Sequence, residues 1–243
     1  MHLNNCNRVR LIMKVNSKIL MLFLGVMACD ASANQDGYYV GLGLGKSNAK
    51  IPYGGDLPSG KYGGASVYSF VLGRQFNEKI AFELDASYRG DFVNNDRNYD
   101  TDDGVKKVGT SISSLSVMLN GYYYYYSQSA FFKPYILGGL GVSSNKTENM
   151  VVTWFDQGEA LSRVTSGASS ASFAWKLGAG VKFALDSCFD LDLRYQFVDL
   201  GNVKLGNSVR NYYEGSDLGS DPVTPRSNKM RSQEFLVGVI YKF

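Results

Sequence analysis

Residues 189–197 read FDLDLRYQF, an unbroken alternation of apolar and polar side chains. The odd-numbered positions are aromatic or aliphatic, and the even-numbered positions are Asp190, Asp192, Arg194 and Gln196. A period of two residues is typical of a β-strand whose two faces meet different surroundings. This alternating stretch is longer than the strands of about 5–6 residues that are usual in soluble sheets. It approaches the length of about 9–11 residues that a tilted strand needs to cross a bilayer.

Similar segments recur along the chain and predict eight strands. They are 37–47, 66–76, 80–89, 110–126, 131–143, 172–183, 189–199 and 232–243. Short connections alternate with the long polar stretches 48–65, 90–109, 144–171 and 200–231. This asymmetry predicts an all-β fold: an eight-stranded antiparallel transmembrane β-barrel with short periplasmic turns and four long extracellular loops.

The polar faces of these strands carry many charges, which a membrane barrel would direct into its lumen. Nine charged residues share this face: Glu83, Asp85, Arg89, Lys176, Lys182, Asp190, Asp192, Arg194 and Glu234. The interior of an eight-stranded barrel is just wide enough for side chains to fill it. We therefore expect a structural network of paired charges, with a narrow ion path as the alternative.

The N-terminal 33 residues have the organisation of a cleavable secretory signal. Basic residues precede the apolar run ILMLFLGVMA (19–28), and small residues follow it as far as Ala33. This order predicts cleavage between Ala33 and Asn34 and export by the general secretory route, leaving residues 34–243 as the barrel domain. Translation from Met13 instead of Met1, and lipidation of Cys29, remain open alternatives.

Composition excludes several classes of function. The signal contains four of the 25 basic residues and one of the 22 acidic residues, so the remaining chain is balanced in charge and unsuited to nucleic acid. The only histidine, His2, also lies in the signal. Without imidazole, Ser-His-Asp catalysis and histidine-ligated zinc are excluded. We expect no enzyme activity and no cofactor.

Aspartates in the stretch 90–109 do not form a recognisable metal motif. They are Asp91, Asp96, Asp100, Asp102 and Asp103. Read from Asp96, an EF-hand loop would need glycine at Thr101 and glutamate at Lys107. We therefore expect a solvated acidic loop and no metal.

Aromatic side chains in the last two long stretches are candidates for contacts with other molecules. Trp154 and Phe155 lie in the stretch 144–171, and Tyr212 and Tyr213 lie in the stretch 200–231. Exposed aromatic residues are favoured anchors of protein interfaces. Alternatively, these segments extend barrel strands above the membrane, and periodicity does not separate the two interpretations.

Five stretches resemble the small outer-membrane β-barrel family of the OmpA-like and opacity type. They are GYYVGLGLG (37–45), KPYILGGLGV (133–142), FAWKLGAGVKF (173–183), LDLRYQFVDLG (191–201) and VGVIYKF (237–243). The resemblance covers residues 37–243, and the terminal aromatics Tyr241 and Phe243 look like the family's signal to the barrel-assembly machinery.

The resemblance implies a place in the bacterial outer membrane, surrounded by lipid and lipopolysaccharide. It also implies a non-enzymatic surface protein whose extracellular loops mediate contacts or adhesion, with a host or matrix protein as partner. A narrow porin-like channel for small solutes or ions is the alternative function.

Overall fold

The computed structural model describes residues 37–52, 55–58, 60–101, 104–125, 131–156 and 159–243. The predicted signal and its cleavage site between Ala33 and Asn34 lie outside these residues. Within them, no helix is long and apolar enough to cross a membrane.

The described residues form twelve β-strands. They are β1 (Tyr38–Ile51), β2 (Gly60–Gln75), β3 (Ile80–Thr101), β4 (Gly104–Tyr124), β5 (Phe132–Thr147), β6 (Met150–Asp156), β7 (Glu159–Thr165), β8 (Ala168–Ala184), β9 (Phe189–Val203), β10 (Ser208–Tyr213), β11 (Ser216–Pro222) and β12 (Asn228–Lys242).

Eight of these strands close into an antiparallel barrel, which confirms the predicted fold. The ring runs through β1, β2, β3, β4, β5, β8, β9 and β12, and β12 pairs with β1 to close it. In the closing pair, Leu42 lies opposite Val239. Closure satisfies the backbone hydrogen bonds that lipid cannot supply.

The alternation seen in the sequence separates the lipid-facing surface from the lumen. Leu44, Phe70, Leu84 and Phe173 project outward and are exposed. The fifth predicted strand (131–143) has apolar residues on both faces, so its sequence alternates poorly. Its side chains nevertheless point in turn toward lipid and toward the lumen. Tyr135 points inward and is buried, whereas Ile136 points outward.

Short turns connect strands at the periplasmic end. The Asn77 side-chain oxygen accepts hydrogen bonds from the backbone N–H groups of Lys79 and Ile80, both 2.9 Å long. Asp186 makes the equivalent bonds to Cys188 and Phe189, both 2.7 Å long. Such side chains replace the missing turn hydrogen bonds, which is why Asn and Asp suit these positions.

Much of the sequence predicted as extracellular loop is strand instead. β3 continues to Thr101, and β6 pairs with residues 105–109 of β4. β7 pairs with β6, β10 pairs with β7, and β11 pairs with β10. We call β6, β7, β10 and β11 the extracellular sheet. Their short runs mix apolar and polar residues on both faces, so they lack the alternation that marks the membrane strands.

Candidate functional sites

An ion pair crosses the upper lumen between β3 and β12. The Nε and Nη2 atoms of Arg89 donate to the two carboxylate oxygens of Glu234, at 2.5 and 3.1 Å. Glu234 also accepts hydrogen bonds from Gln196 at 2.8 Å and from Ser47 at 2.9 Å. Both charged side chains are fully buried. Additional hydrogen bonds of this kind are needed to offset the free energy that a buried ion pair loses when it is removed from water.

A second layer of charges lies below the first. Lys176 pairs with Asp85 at 2.5 Å, and Arg194 pairs with Asp192 at 2.8 Å. Arg194 also lies 3.6 Å from Glu83 and 3.7 Å from Asp85, so its guanidinium links the carboxylates of β3 to that of β9. The layer therefore joins opposite walls of the barrel.

Lys182 occupies a cage of tyrosine rings near the periplasmic end. Its ammonium lies between 4.6 and 5.9 Å from the ring centres of Tyr39, Tyr122, Tyr124 and Tyr135. It also donates a 2.7 Å hydrogen bond to the Tyr124 hydroxyl. Aromatic faces attract cations strongly when water is excluded. The cage thus holds a positive charge in the lumen.

The extracellular end of the lumen is closed by apolar side chains. We call this cluster the upper plug; it contains Ala49, Ile51, Leu57, Tyr62, Ala65, Phe92, Ile112, Met118, Ala174, Val198, Leu200, Val203, Leu205 and Met230. The alternation did not reveal it, because ten of these fourteen residues lie in the stretches 48–65, 90–109 and 200–231, which were expected to be polar loops. A cavity of about 20 Å³ remains beside Asp192 and Arg194, enough for about one water molecule.

The structure places all nine charged candidates inside the barrel. Each is at most 6% exposed to solvent. Asp190 pairs with Lys242 at 2.7 Å, and Glu83 accepts hydrogen bonds from Asn120 and Tyr122. Together with the upper plug, these contacts fill the lumen with side chains. The geometry favours a structural network over an ion path.

The four aromatic candidates lie on the extracellular sheet, on opposite faces. Trp154, Leu161 and Tyr213 stand opposite one another on neighbouring strands, so they share the face that continues the lumen side. Phe155 and Tyr212 belong to the other face. Leu161 is 42% exposed, and Tyr213 and Phe155 are each 39% exposed. The two interpretations of these segments are therefore compatible: they are strands, and their apolar side chains are accessible.

Glu159 and Tyr213 lie near each other where β7 and β10 pair at the distal edge of the extracellular sheet. A hydrogen bond to the Glu159 carboxylate raises the pKa of the Tyr213 hydroxyl above its ordinary value. Glu159 begins β7 and Tyr213 ends β10. The distal ends of the two strands are held together by backbone pairing, in which the Glu214 N–H donates to the Ala160 carbonyl at 3.0 Å.

Other candidates are not assembled into a site. Asp96, Asp100, Asp102 and Asp103 lie outside the described side chains, whereas Asp91 is exposed on β3. Among the described residues, no cluster of three potential metal ligands occurs.

Cys188 is half-buried in the turn before β9. Tyr241 packs on Phe189, with ring centres 5.1 Å apart, and Phe243 is exposed.

Comparisons with known proteins agree with this architecture. The chain is 28% identical over 195 residues to the outer membrane protein PagN of Salmonella typhimurium, which covers 77% of this chain and 75% of PagN. Among solved structures, Neisserial surface protein A superposes with a TM-score of 0.52 at 18% identity, covering 85% of this chain and 97% of the other.

The attachment invasion locus protein Ail of Yersinia pestis matches with a TM-score of 0.44 and 13% identity, over 86% of this chain and all of Ail. The sequence profile of the outer membrane protein beta-barrel domain matches residues 19–243. The chain therefore belongs to the outer membrane β-barrel protein family and is a protein of the bacterial outer membrane.

Proposed function

We propose that the protein is a non-enzymatic surface protein that contacts a host or matrix protein through its extracellular sheet. The observation that carries this proposal is the exposure of Leu161, Tyr213 and Phe155 on strands held above the barrel. Aromatic side chains on a rigid support are efficient anchors, because little conformational entropy is lost when they are covered.

The composition supports a non-enzymatic role. The predicted mature chain has no histidine, so the common general base of outer-membrane and secreted hydrolases is missing. The charged groups that are brought together in the lumen are engaged with one another and are buried. A substrate could not reach these groups from the solvent.

The assembly route forms part of the same proposal. We infer secretion with the signal 1–33 and insertion by the barrel-assembly machinery, which would read Tyr241 and Phe243. In support, Tyr241 lies in β12, the strand that pairs with β1 to close the barrel. An aromatic side chain at this seam is well placed to guide closure.

Adhesion of bacterial cells tests the proposed contact. Escherichia coli cells displaying the protein are compared with cells displaying a chain trimmed at 211–221, on epithelial layers and on immobilised collagen, laminin and fibronectin. We expect the trimmed chain to lose adhesion while its barrel retains the heat-dependent gel shift of a folded outer-membrane protein.

A matched pair of point variants localises the contact. Leu161→Ser with Tyr213→Ser changes two exposed residues on one face of the extracellular sheet, whereas Lys79→Ser changes an exposed residue of a periplasmic turn. The first variant is expected to reduce adhesion and the second to leave it intact. Equal adhesion of cells with the protein and cells with an empty vector would contradict the proposal.

A further inference from the structure

Strand β11 is the edge of the extracellular sheet. Among the described strands it pairs with β10 on one side and with none on the other. Every residue of β11 (Ser216–Pro222) is exposed. At about 3.3 Å per residue, the strand presents an open edge of about 23 Å. An exposed edge of this length is a template on which another chain can add as a strand.

A tight turn fixes the orientation of β11 against β10. The two connecting residues, Glu214 and Gly215, have positive φ angles of 45° and 82°. A type I′ turn requires this conformation, and its twist matches that of a β-hairpin. Tyr213 and Ser216 pair across the turn, so the backbone groups of Ser216 face β10 and those of Asp217 face the open edge.

The other end of β11 also presents backbone groups to solvent. The Val223 N–H donates to the carbonyl of Asn207, just before β10, at 2.8 Å. Backbone groups of successive residues point to opposite edges of a strand. The N–H and C=O of Ser220 and the C=O of Pro222 therefore point away from β10. The open edge thus has donors and acceptors at both ends.

Charged side chains along this edge discriminate between partners. Asp217 lies 3.8 Å from Arg210 in an exposed pair, and Asp221 accepts a 3.4 Å hydrogen bond from the neutral Asn211. A second copy paired antiparallel about Gly219 would place Asp217 opposite Asp221. Like charges in directly opposite positions destabilise a sheet. The aspartates therefore disfavour self-pairing and favour a strand that carries cations.

We propose that β11 accepts an extended basic segment of the partner protein as an additional strand. This rests on the proposed contact through the extracellular sheet and names its chemistry. Asp217 and Asp221 pair with Tyr212 and Val209, which are three residues apart, so the two carboxylates lie on opposite faces. A partner with cations three residues apart matches them. Leu218, which is 62% exposed, offers an apolar contact between the two carboxylates.

Titration with a short peptide tests strand addition. The probe is the fluorescently labelled peptide TKVTKVT, added to the folded protein in maltoside micelles. Ser220→Pro removes an N–H at the open edge, where proline is tolerated because that N–H faces solvent. Its matched control, Ser220→Ala, keeps the N–H. Folding of each variant is verified by its gel shift on heating.

We expect Ser220→Pro to weaken peptide binding about fivefold, as the loss of one backbone hydrogen bond does, and Ser220→Ala to leave it unchanged. Equal affinities of the two variants would overturn strand addition. A probe with methylated backbone amides keeps its charges but cannot pair, so binding equal to that of the unmethylated probe would also overturn it. Equal binding of TEVTEVT would overturn the basic character of the partner.

Two further measurements separate this inference from its alternatives. Dimers of the unaltered protein in sedimentation that dissociate in Ser220→Pro would assign the edge to a second copy and overturn the proposal. Adhesion that is lost on trimming 211–221 but unchanged in Ser220→Pro would retain the extracellular contact and contradict strand addition. Absence of adhesion by the unaltered protein would contradict the proposed function, whereas strand addition is decided by the peptide titration.

Discussion

Arg89 and Glu234, which are 145 residues apart in sequence, form a two-pronged ion pair inside the barrel. Their strands are not neighbours: β1 and β2 lie between β3 and β12 in the ring. The pair therefore ties together positions on the wall that backbone hydrogen bonds do not join.

Removing one partner should destabilise the barrel strongly. In Glu234→Gln, Arg89 keeps its charge in a fully buried position without a carboxylate, at a cost of about 3–5 kcal/mol. Urea unfolding in micelles, followed by the gel shift on heating, measures this loss. The exposed Glu214→Gln serves as control and should change stability by less than about 0.5 kcal/mol. Equal stability of both variants would contradict the structural role of the pair.

The filled lumen should not conduct ions. In the part of the chain that the structure describes, the buried charge layers and the upper plug occupy the lumen, and the cavity of about 20 Å³ beside Arg194 has room for only about one water molecule. We expect planar bilayers containing the folded protein to show no steady single-channel steps. Steps whose size changes in Arg194→Ala would establish the channel alternative.

Gly73 provides a test of packing in the lower lumen. A Cβ atom at this position would collide with the ring of Tyr39, a member of the tyrosine cage. Gly73→Ala should therefore cost about 1–3 kcal/mol, as overpacking usually does. At Gly138, on the outer face, the nearest side-chain atom to a new Cβ is 3.5 Å away on Leu177, an ordinary contact. Gly138→Ala should be close to neutral in the same unfolding assay.

The stability of the extracellular sheet should depend on pH through the titration of Tyr213. Because the Glu159 carboxylate raises the pKa of Tyr213, the neutral hydroxyl is favoured in the folded sheet. The stabilisation is complete below the ordinary tyrosine pKa of about 10 and is lost as pH rises through the raised value. Glu159→Gln should lower the pKa of Tyr213.

Fluorotyrosine NMR measures this titration, with Tyr213→Phe to assign the signal. An unchanged pKa in Glu159→Gln would contradict the contact. The same spectra report whether the distal ends of β7 and β10 separate at high pH.

Cleavage of the signal is a further expectation that a mass measurement decides. The protein isolated from outer membranes should begin at Asn34, because small residues at Ala31 and Ala33 suit the peptidase. Ala33→Asp should block processing at this position, whereas Asn34→Ser should not. A chain that starts at Cys29 and carries lipid would establish the lipoprotein alternative.

The sequence by itself determined the barrel. Its strands alternate with a period of two, so stretches such as 189–197 fix which side chains meet lipid and which enter the lumen. The nine buried charges could be named for the same reason, since each stands on the polar face of a long, regular strand.

Only the tertiary structure decided which charges pair, what closes the lumen and what the loops form. Arg89 pairs with Glu234, and Lys182 lies in its tyrosine cage, because closure of the ring brings distant strands together. The local alternation of the sequence does not encode these contacts. Phe92 and Met230 join the upper plug because their strands continue beyond the apolar band. Likewise, Trp154 and Tyr213 share one face only because β7 pairs with both β6 and β10, a long-range register that short irregular runs do not reveal.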